Sequence, residues 1–386
     1  MTGHTAPRAH IALMSVPLHG HVNPLLGVAA ELVARGHRVT FATGHEFGPL
    51  VAETGAEPVG HATTFPTRTP TAGTGRDWLP ADDDGSLAVD AFRRECATVL
   101  PQLADHYADD VPDLVVYDTV TGHGPLLARR WGVPEVAFSP THAFTDGTTG
   151  RGVGAGPGAL SGDVPCVVAM PRSLQFMADR VGARCTFVGP VEWRRGAHGD
   201  WRPPPDARRV ALVSLGTTYN RRADVFRWCV EAFDGLDGAA GRHLVLATGH
   251  GTDPAALGTL PAWVEAREWV PQMSVLPYID VFVTAGGTGS VLEGLAHEVP
   301  LVVLPQAVEQ FLTARRVVDL GLGRAVPPDH LGPDTIRAAV RAVLGDPAVP
   351  GRLAAVRREI EQAGGARAAA DVMEAARSRT PRAAAR

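Results

Sequence analysis

The sequence predicts an α/β protein built from two Rossmann-like domains facing a cleft. Three observations carry this. Short apolar runs alternate with amphipathic helical stretches in both halves, the pattern of βα units around a parallel sheet. A proline-rich stretch, Gly196 to Ala207 (GAHGDWRPPPDA), separates the halves; a proline run is semi-rigid, as an interdomain linker should be. At 386 residues the chain is long enough for two cores.

The first half opens with a buried strand, Ile11 to Val16. A loop, Pro17 to Gly20, leads to Asn23-Pro24, which reads as a helix N-cap followed by proline at the first helical position. Leu25, Leu26, Ala29, Leu32 and Val33 then mark one helical face, and Gly36 closes the helix. Val39 to Ala42 is the second strand. This βαβ opening places His19 and His21 in a loop at the carboxyl edge of the sheet, where open α/β sheets bind ligands. Thr63 to Asp84, rich in Thr, Pro, Gly and Asp, reads as a loop. Leu87 to Tyr107 reads as an amphipathic helix, and Asp113 to Tyr117 as a strand that ends at Asp118. After a helix (Gly124 to Trp131) and a strand (Glu135 to Phe138), Thr145 to Gly162 is glycine-rich and reads as a mobile loop.

In the second half, strands are expected at Val210 to Leu215, His243 to Ala247, Val264 to Glu268, Phe282 to Thr284 and Leu301 to Leu304. The first of these runs into Gly216-Thr217-Thr218. Residues 283–310, VTAGGTGSVLEGLAHEVPLVVLPQAVEQ, read strand, glycine turn, helix, strand. That order aims backbone N–H groups at a helix N-terminus, where a phosphate can sit. A glycine turn alone also serves merely to close a βαβ unit. Glu293, three residues into the helix, and Glu309-Gln310, just past the next strand, add groups that can grip hydroxyls. Residues 350–376 read as mostly helical.

Composition narrows the classes. A formal charge of −5 with scattered arginines gives no basic stripe for nucleic acid. Cys96, Cys166, Cys185 and Cys229 show no CxxC spacing, so a reduced cytoplasmic setting is expected and a disulfide framework or zinc site is not. No apolar run approaches the ~20 residues of a membrane span, and the N-terminus lacks a signal core. The chain is expected to be a monomer or homodimer that binds small molecules.

The 283–310 stretch resembles the donor-binding signature of family 1 glycosyltransferases, especially the bacterial macrolide glycosyltransferases. The resemblance extends to Glu268-Trp269-Val270-Pro271-Gln272, to His19-Gly20-His21-Val22-Asn23-Pro24 and to Gly364-Gly365-Ala366-Arg367, and so spans nearly the whole chain. It implies the GT-B fold. An acceptor domain would occupy residues 1–200 and a nucleotide-sugar domain 201–365, with a tail, 366–386, crossing back to the first domain. It further implies inverting, metal-independent transfer of a hexose, glucose first, from a UDP-sugar co-substrate to a hydroxyl of a hydrophobic natural product such as a macrolide.

The resemblance also assigns roles. His19 would be the base that takes the acceptor proton, and histidine suits this, since its ordinary pKa of ~6.5 lies near working pH. Asp118, on the same sheet edge, would fix its tautomer. Both residues also read as ordinary structure, a solvated loop histidine and a helix-capping aspartate. His21 reads as a loop-packing or cap residue; no third ligand accompanies the two histidines for a metal. On the donor side Trp269 would stack on uracil, with interdomain core as its bland alternative. Val270 and Gln272 would hold base or ribose, and Glu293 the ribose hydroxyls, unless it is a solvated residue of the helix N-terminus. Thr217, Gly287, Gly289 and Ser290 would cradle the diphosphate, and Glu309 and Gln310 would read the sugar. Gln310 favours glucose over galactose. At Ala285 the family usually carries a histidine on the diphosphate. The loss of that donor leaves compensation by another residue such as His250, use of a different nucleotide sugar, or a weakened nucleotide-sugar-binding protein as alternatives. An epimerase on the same fold is a further one.

Overall fold

The computed structural model describes residues 8–65, 86–143, 163–191, 199–236, 241–306 and 308–379. The glycine-rich loop expected over 145–162, and all but the first three residues of that expected over 63–84, lie outside them, as does the first part of the linker. The strands are β1 (His10–Met14), β2 (Arg38–Gly44), β3 (Glu57–His61), β4 (Leu114–Asp118), β5 (Glu135–Ser139), β6 (Cys166–Val168), β7 (Cys185–Phe187), β8 (Arg209–Ser214), β9 (Arg242–Ala247), β10 (Val264–Arg267), β11 (Val281–Thr284), β12 (Leu301–Val303) and β13 (Gly323–Ala325). The helices are α1 (His19–Ala34), α2 (Gly48–Ala52), α3 (Ser86–His106), α4 (His123–Trp131), α5 (Ala223–Asp234), α6 (Gln272–Val275), α7 (Thr288–Ala296), α8 (Val308–Asp319), α9 (Pro333–Leu344), α10 (Val349–Gln362) and α11 (Gly365–Arg379).

Two all-parallel sheets result, ordered β3-β2-β1-β4-β5-β6-β7 and β10-β9-β8-β11-β12-β13. In each, the order reverses beside the first strand of that sheet: β1 lies between β2 and β4, and β8 between β9 and β11. Strands covered on both faces read as continuous apolar runs, and those of β1 and β4 are wholly buried. Crevices at such reversal points open at the carboxyl ends of the strands. The GT-B expectation is met: two Rossmann-like units carry the chain, and its last helix returns to the first.

That return has a sequence cause. Gly364 (φ +88°) ends the run of α10 in the left-handed region and lets α11 start in a new direction. The small buried residues Ala369 and Ala370, with Met373, let α11 lie close on α1 and join the core of Ile11, Leu25 and Leu32. The linker is less free than its composition implies. Trp201 is buried and its indole N–H donates to Glu265 on β10 (3.1 Å), so the linker's second half is docked on the second domain.

Candidate active site

The helix after β1 starts five residues earlier than Asn23-Pro24 predicts. Leu18 precedes it, with the N–H groups of His21 and Val22 both donating to the Leu18 carbonyl (2.9 and 2.8 Å). Pro24 is therefore inside α1, close enough to its start that few intrahelical bonds are forfeited. The consequence falls on the histidines. His19 and His21 sit in the first turn of a helix, where residues two apart point about 200° away from each other. Only one can face β4.

That one is His21. Its Nδ1 lies 2.6 Å from a carboxylate oxygen of Asp118, which is fully buried at the end of β4. Asp118 also accepts from the Val120 N–H (3.1 Å). His19 turns the other way, edge-on to Phe47 (centroids 4.9 Å apart). The expected pairing of His19 with Asp118 is thus corrected to His21 with Asp118, and His21 is not the packing or cap residue that the motif alone suggested. The signal that would have found it was the helical phase of the HGHVNP segment.

With Nδ1–H donating to Asp118, Nε2 of a neutral His21 keeps its lone pair for a proton from outside. Burial disfavours the charged ring, but the Asp118 charge and hydrogen bond outweigh it, with Glu309 adding, and the His21 pKa is raised above its ordinary 6.5. Glu309 belongs to the second domain, so the first turn of α8 faces this pair across the cleft. Crowding by the cleft walls raises the Glu309 carboxyl; the positive charge of His21 opposes this and the negative charge of Asp118 adds to it. Glu309 as a whole residue is nonetheless exposed.

Next to the pair lies a small apolar cluster distinct from the main cores. Val16, Phe65 and Ala91 form it, flanked by Leu18, Phe92 and Val120. Phe65 and Phe92 meet edge to face at 5.7 Å. All follow strands of the first sheet or sit on α3, so the wall beside His21 is apolar and partly aromatic. Sequence reading assigned none of them to a pocket wall, although Val16 closes the first expected strand and Ala91-Phe92 fall within an expected helix.

The second sheet presents its own set at the carboxyl edge. Trp269, just after β10, is 52% exposed, which rules out the interdomain core as its place; Val270 beside it is buried. Gln272 donates from its amide to the Glu293 carboxylate, which brings α6 and α7 together at one point. Glu293 is therefore not a merely solvated helix residue. After β11, Gly286 holds φ +87° with Val303 packed where a side chain would be, so the tight turn requires glycine. Gly287 and Gly289 are different. A Cβ there, or at Gly216 beside Thr217, would meet no protein atom within 4 Å. In the opening turn of α7 Gly289 is exposed and Gly287 and Ser290 are partly so, which leaves room for an anion beside buried Thr288. Thr217 is exposed in the adjoining loop. Gln310 is buried and its carbonyl accepts from the Gln306 N–H (2.8 Å), which fixes the segment that carries Glu309.

Ala285 is buried between these groups. His250, which follows β9, is bonded through Nδ1 to Glu268, next to Trp269. Among the described residues, no three His, Cys, Asp or Glu side chains gather as metal ligands, and no helix is long and apolar enough to cross a membrane.

Two facing Rossmann-like domains, one with a histidine–carboxylate pair and one with a bare glycine cradle, define the GT-B glycosyltransferase class. Comparison with known proteins carries this further. Residues 239–370 match the family described as Erythromycin biosynthesis protein CIII-like, C-terminal domain. The chain is 40% identical to the oleandomycin glycosyltransferase of Streptomyces antibioticus, over 97% of this chain and 92% of that one. It is 35% identical to the demethyllactenocin mycarosyltransferase of Streptomyces fradiae, over 95% and 86%. Among solved structures, the kitacinnamycin glycosyltransferase superposes with a TM-score of 0.82 at 38% identity, over 96% of this chain and 100% of that one. The calicheamicin glycosyltransferase CalG4 gives 0.79 at 35%, over 98% and 100%. The chain belongs to the macrolide-type family of GT-B glycosyltransferases.

Proposed function

We propose that the protein transfers a hexose, glucose in the first instance, from a UDP-sugar to a hydroxyl of a hydrophobic natural product such as a macrolide, with inversion. The observation that carries this is the His21–Asp118 pair lying across the cleft from Glu309 and the opening turn of α7. An alcohol is a poor nucleophile, and a positioned imidazole that removes its proton as the bond forms typically contributes 10²–10⁴-fold. His21 Nε2 takes that proton, and Asp118 stabilises the imidazolium and holds the ring. The acceptor oxygen attacks the anomeric carbon from the face opposite the nucleotide. The bond to the diphosphate breaks, and its electrons leave with UDP.

The first domain, residues 1–200, is the acceptor side, with the cluster around Phe65 and Phe92 as its apolar wall. Residues 201–365 are the donor side, and the tail from 366 braces the first domain. Trp269 stacks on the base, with Val270 beside it, and Gln272 and Glu293 take the ribose. Thr217, Gly287, Gly289 and Ser290 receive the diphosphate, so that N–H groups meet the charge that grows on the leaving group. Glu309 and Gln310 read the sugar. The relatives named above are described for oleandomycin, demethyllactenocin, kitacinnamycin and calicheamicin, which supports a natural-product acceptor. One of them is named for a mycarosyl group, so glucose rests on Gln310 alone.

A second reading is favoured by one observation, Ala285, which removes a donor from the diphosphate site. On that reading the protein binds nucleotide sugar or product and transfers slowly. Calorimetric binding of UDP and UDP-glucose to the wild type, Ala285→His and Trp269→Ala, followed by transfer to a panel of macrolides and phenols, separates the two. Micromolar binding by the wild type, a loss of about 1–3 kcal/mol in Trp269→Ala and glycoside formation support transfer. Binding and turnover that arise only in Ala285→His support the second reading.

A further inference from the structure

One short loop braces the gap between the domains. It follows β5 at the carboxyl edge of the first sheet. Ser139 shares its hydroxyl proton between the carbonyls of Thr141 and His142 (both 3.1 Å). Gln175 accepts from the Ala143 N–H (2.8 Å) and donates to the Ala143 carbonyl (3.2 Å). The Phe176 N–H donates to His142 Nδ1 (3.2 Å). The loop is therefore pinned to its own domain at three successive residues, and its shape is set before it touches anything else.

Its outer side makes two contacts with the other domain. Thr141 Oγ1 and Thr288 Oγ1 are 2.9 Å apart. Since His142 Nδ1 accepts, its Nε2–H donates to Thr313 Oγ1 (3.3 Å). Burial, reinforced by the Arg316 charge, lowers the His142 pKa to about 4, so the ring is neutral and this donor is kept at ordinary pH. The partners are not arbitrary. Thr288 is the first residue of α7, and the next two, Gly289 and Ser290, form the anion cradle. Thr313 lies one turn beyond Glu309 on α8 and donates to the Glu309 carbonyl (3.2 Å). A single rigid loop of the acceptor domain thus touches both helices whose N-termini face the His21–Asp118 pair.

We propose that the Thr141–His142 loop is a spacer that fixes the gap between His21–Asp118 and helices α7 and α8, and that Thr141 and His142 are positioning residues for glycosyl transfer. The proposal rests on the transfer reading above. Its chemistry follows from reach: a base that must meet an acceptor proton while the acceptor oxygen meets the anomeric carbon tolerates little error. A misplacement of about 1 Å costs on the order of 10²-fold. Hydroxyl-to-hydroxyl and imidazole-to-hydroxyl bonds at a closed interface hold that distance without a charged pair, whose desolvation would be costly.

Thr141→Val and Thr288→Val each remove the bond and keep the volume. The experiment measures kcat for transfer, the ratio of transfer to donor hydrolysis and the Kd for UDP in both single variants, the double variant and Thr141→Ser. The expected result is a fall of about tenfold in kcat and a shift toward hydrolysis in each single variant, with UDP affinity unchanged. The double variant is no worse than either single one, since both break one bond, and Thr141→Ser recovers most of the rate. Unchanged kcat and partition, or effects that multiply, overturn the spacer. So does a loss of UDP affinity parallel to kcat, because it would make these hydroxyls ligand contacts. If the wild type transfers nothing, the transfer reading is what fails, and solution scattering judges the spacer alone. A larger radius of gyration in the double variant supports it, and an unchanged one overturns it.

Discussion

Asp118 accepts a 2.6 Å hydrogen bond from His21, while the ring of His19, a single glycine away in sequence, packs edge-on to Phe47. The distinction is a matter of helical phase, and it decides which residue is asked to carry the reaction. His21→Ala should lower kcat by about 10²–10⁴-fold with UDP affinity retained, while His19→Ala, whose ring packs on Phe47, should stay within a few fold. Equal losses in both variants would break the assignment.

The same bond sets a pH dependence. In the proposed mechanism the base works as neutral imidazole, so activity should be lost as pH falls through the His21 pKa, which Asp118 and Glu309 hold above 6.5 against the opposing effect of burial. The pH profile of kcat/KM should therefore rise to a plateau with its inflection above 6.5. In Asp118→Asn the attraction goes and burial remains, so the inflection should drop while the plateau falls. A profile whose inflection stays put in Asp118→Asn would mean that another group is titrating.

Much of this architecture was legible in the sequence because it rests on local chemistry. Continuous apolar runs specify buried parallel strands, and the glycine turn at 286–289 marks the start of α7. What stayed hidden depends on direction and on contacts far apart in the chain. Pro24 looked like a helix start, since proline is favoured there; the structure absorbs it inside α1 instead, and the phase of His21 follows from that shift. Trp201 sits in a stretch whose prolines announce a linker, yet its indole finds Glu265 only after folding. Thr141 and Thr313 belong to no motif, and Thr288 gave no sign of its role inside the 283–310 stretch, because a hydroxyl becomes informative only when its partner across the cleft is known.

His123 opens α4 with both ring nitrogens buried and, among the described residues, without a hydrogen-bond partner, its ring edge-on to that of His61. Burial, with a smaller push from His61, lowers its pKa from 6.5 to about 3. The folded state then takes no proton until about pH 3, whereas the unfolded chain takes one below about 6.5. Stability should therefore fall as pH drops below 6.5, by about 2 kcal/mol between pH 7 and pH 5 from this residue alone. His123→Phe keeps the ring and removes the titration, so its denaturation midpoints should depend less on pH, at no cost at pH 7. If wild type and variant lose stability in parallel down to pH 5, the ring is being protonated in place and the burial argument fails.

The final helix should hold the first domain together, not the second, although it follows the second in sequence. Met373 on α11 is fully buried against the core of Ile11, Leu25 and Leu32. Around it, Arg35 at the end of α1 donates to Asp371 (2.7 Å), Glu374 (2.8 Å) and the Arg367 carbonyl (3.0 Å), and His37 Nε2–H donates to Glu374 (2.9 Å). These polar contacts fix the register of α11, and the apolar seat supplies most of the energy. Met373→Ala should cost about 2–5 kcal/mol, and Glu374→Ala about 1–3 kcal/mol, because the buried His37 Nε2–H loses its acceptor while Arg35 keeps Asp371. The two domains are told apart by ligand: on the proposed donor assignment, UDP should raise the second domain's melting transition by mass action. Met373→Ala should lower the other transition and leave the UDP-sensitive one in place. A variant that lowers only the UDP-sensitive transition would show that α11 stabilises the donor domain and that its seat on α1 contributes little.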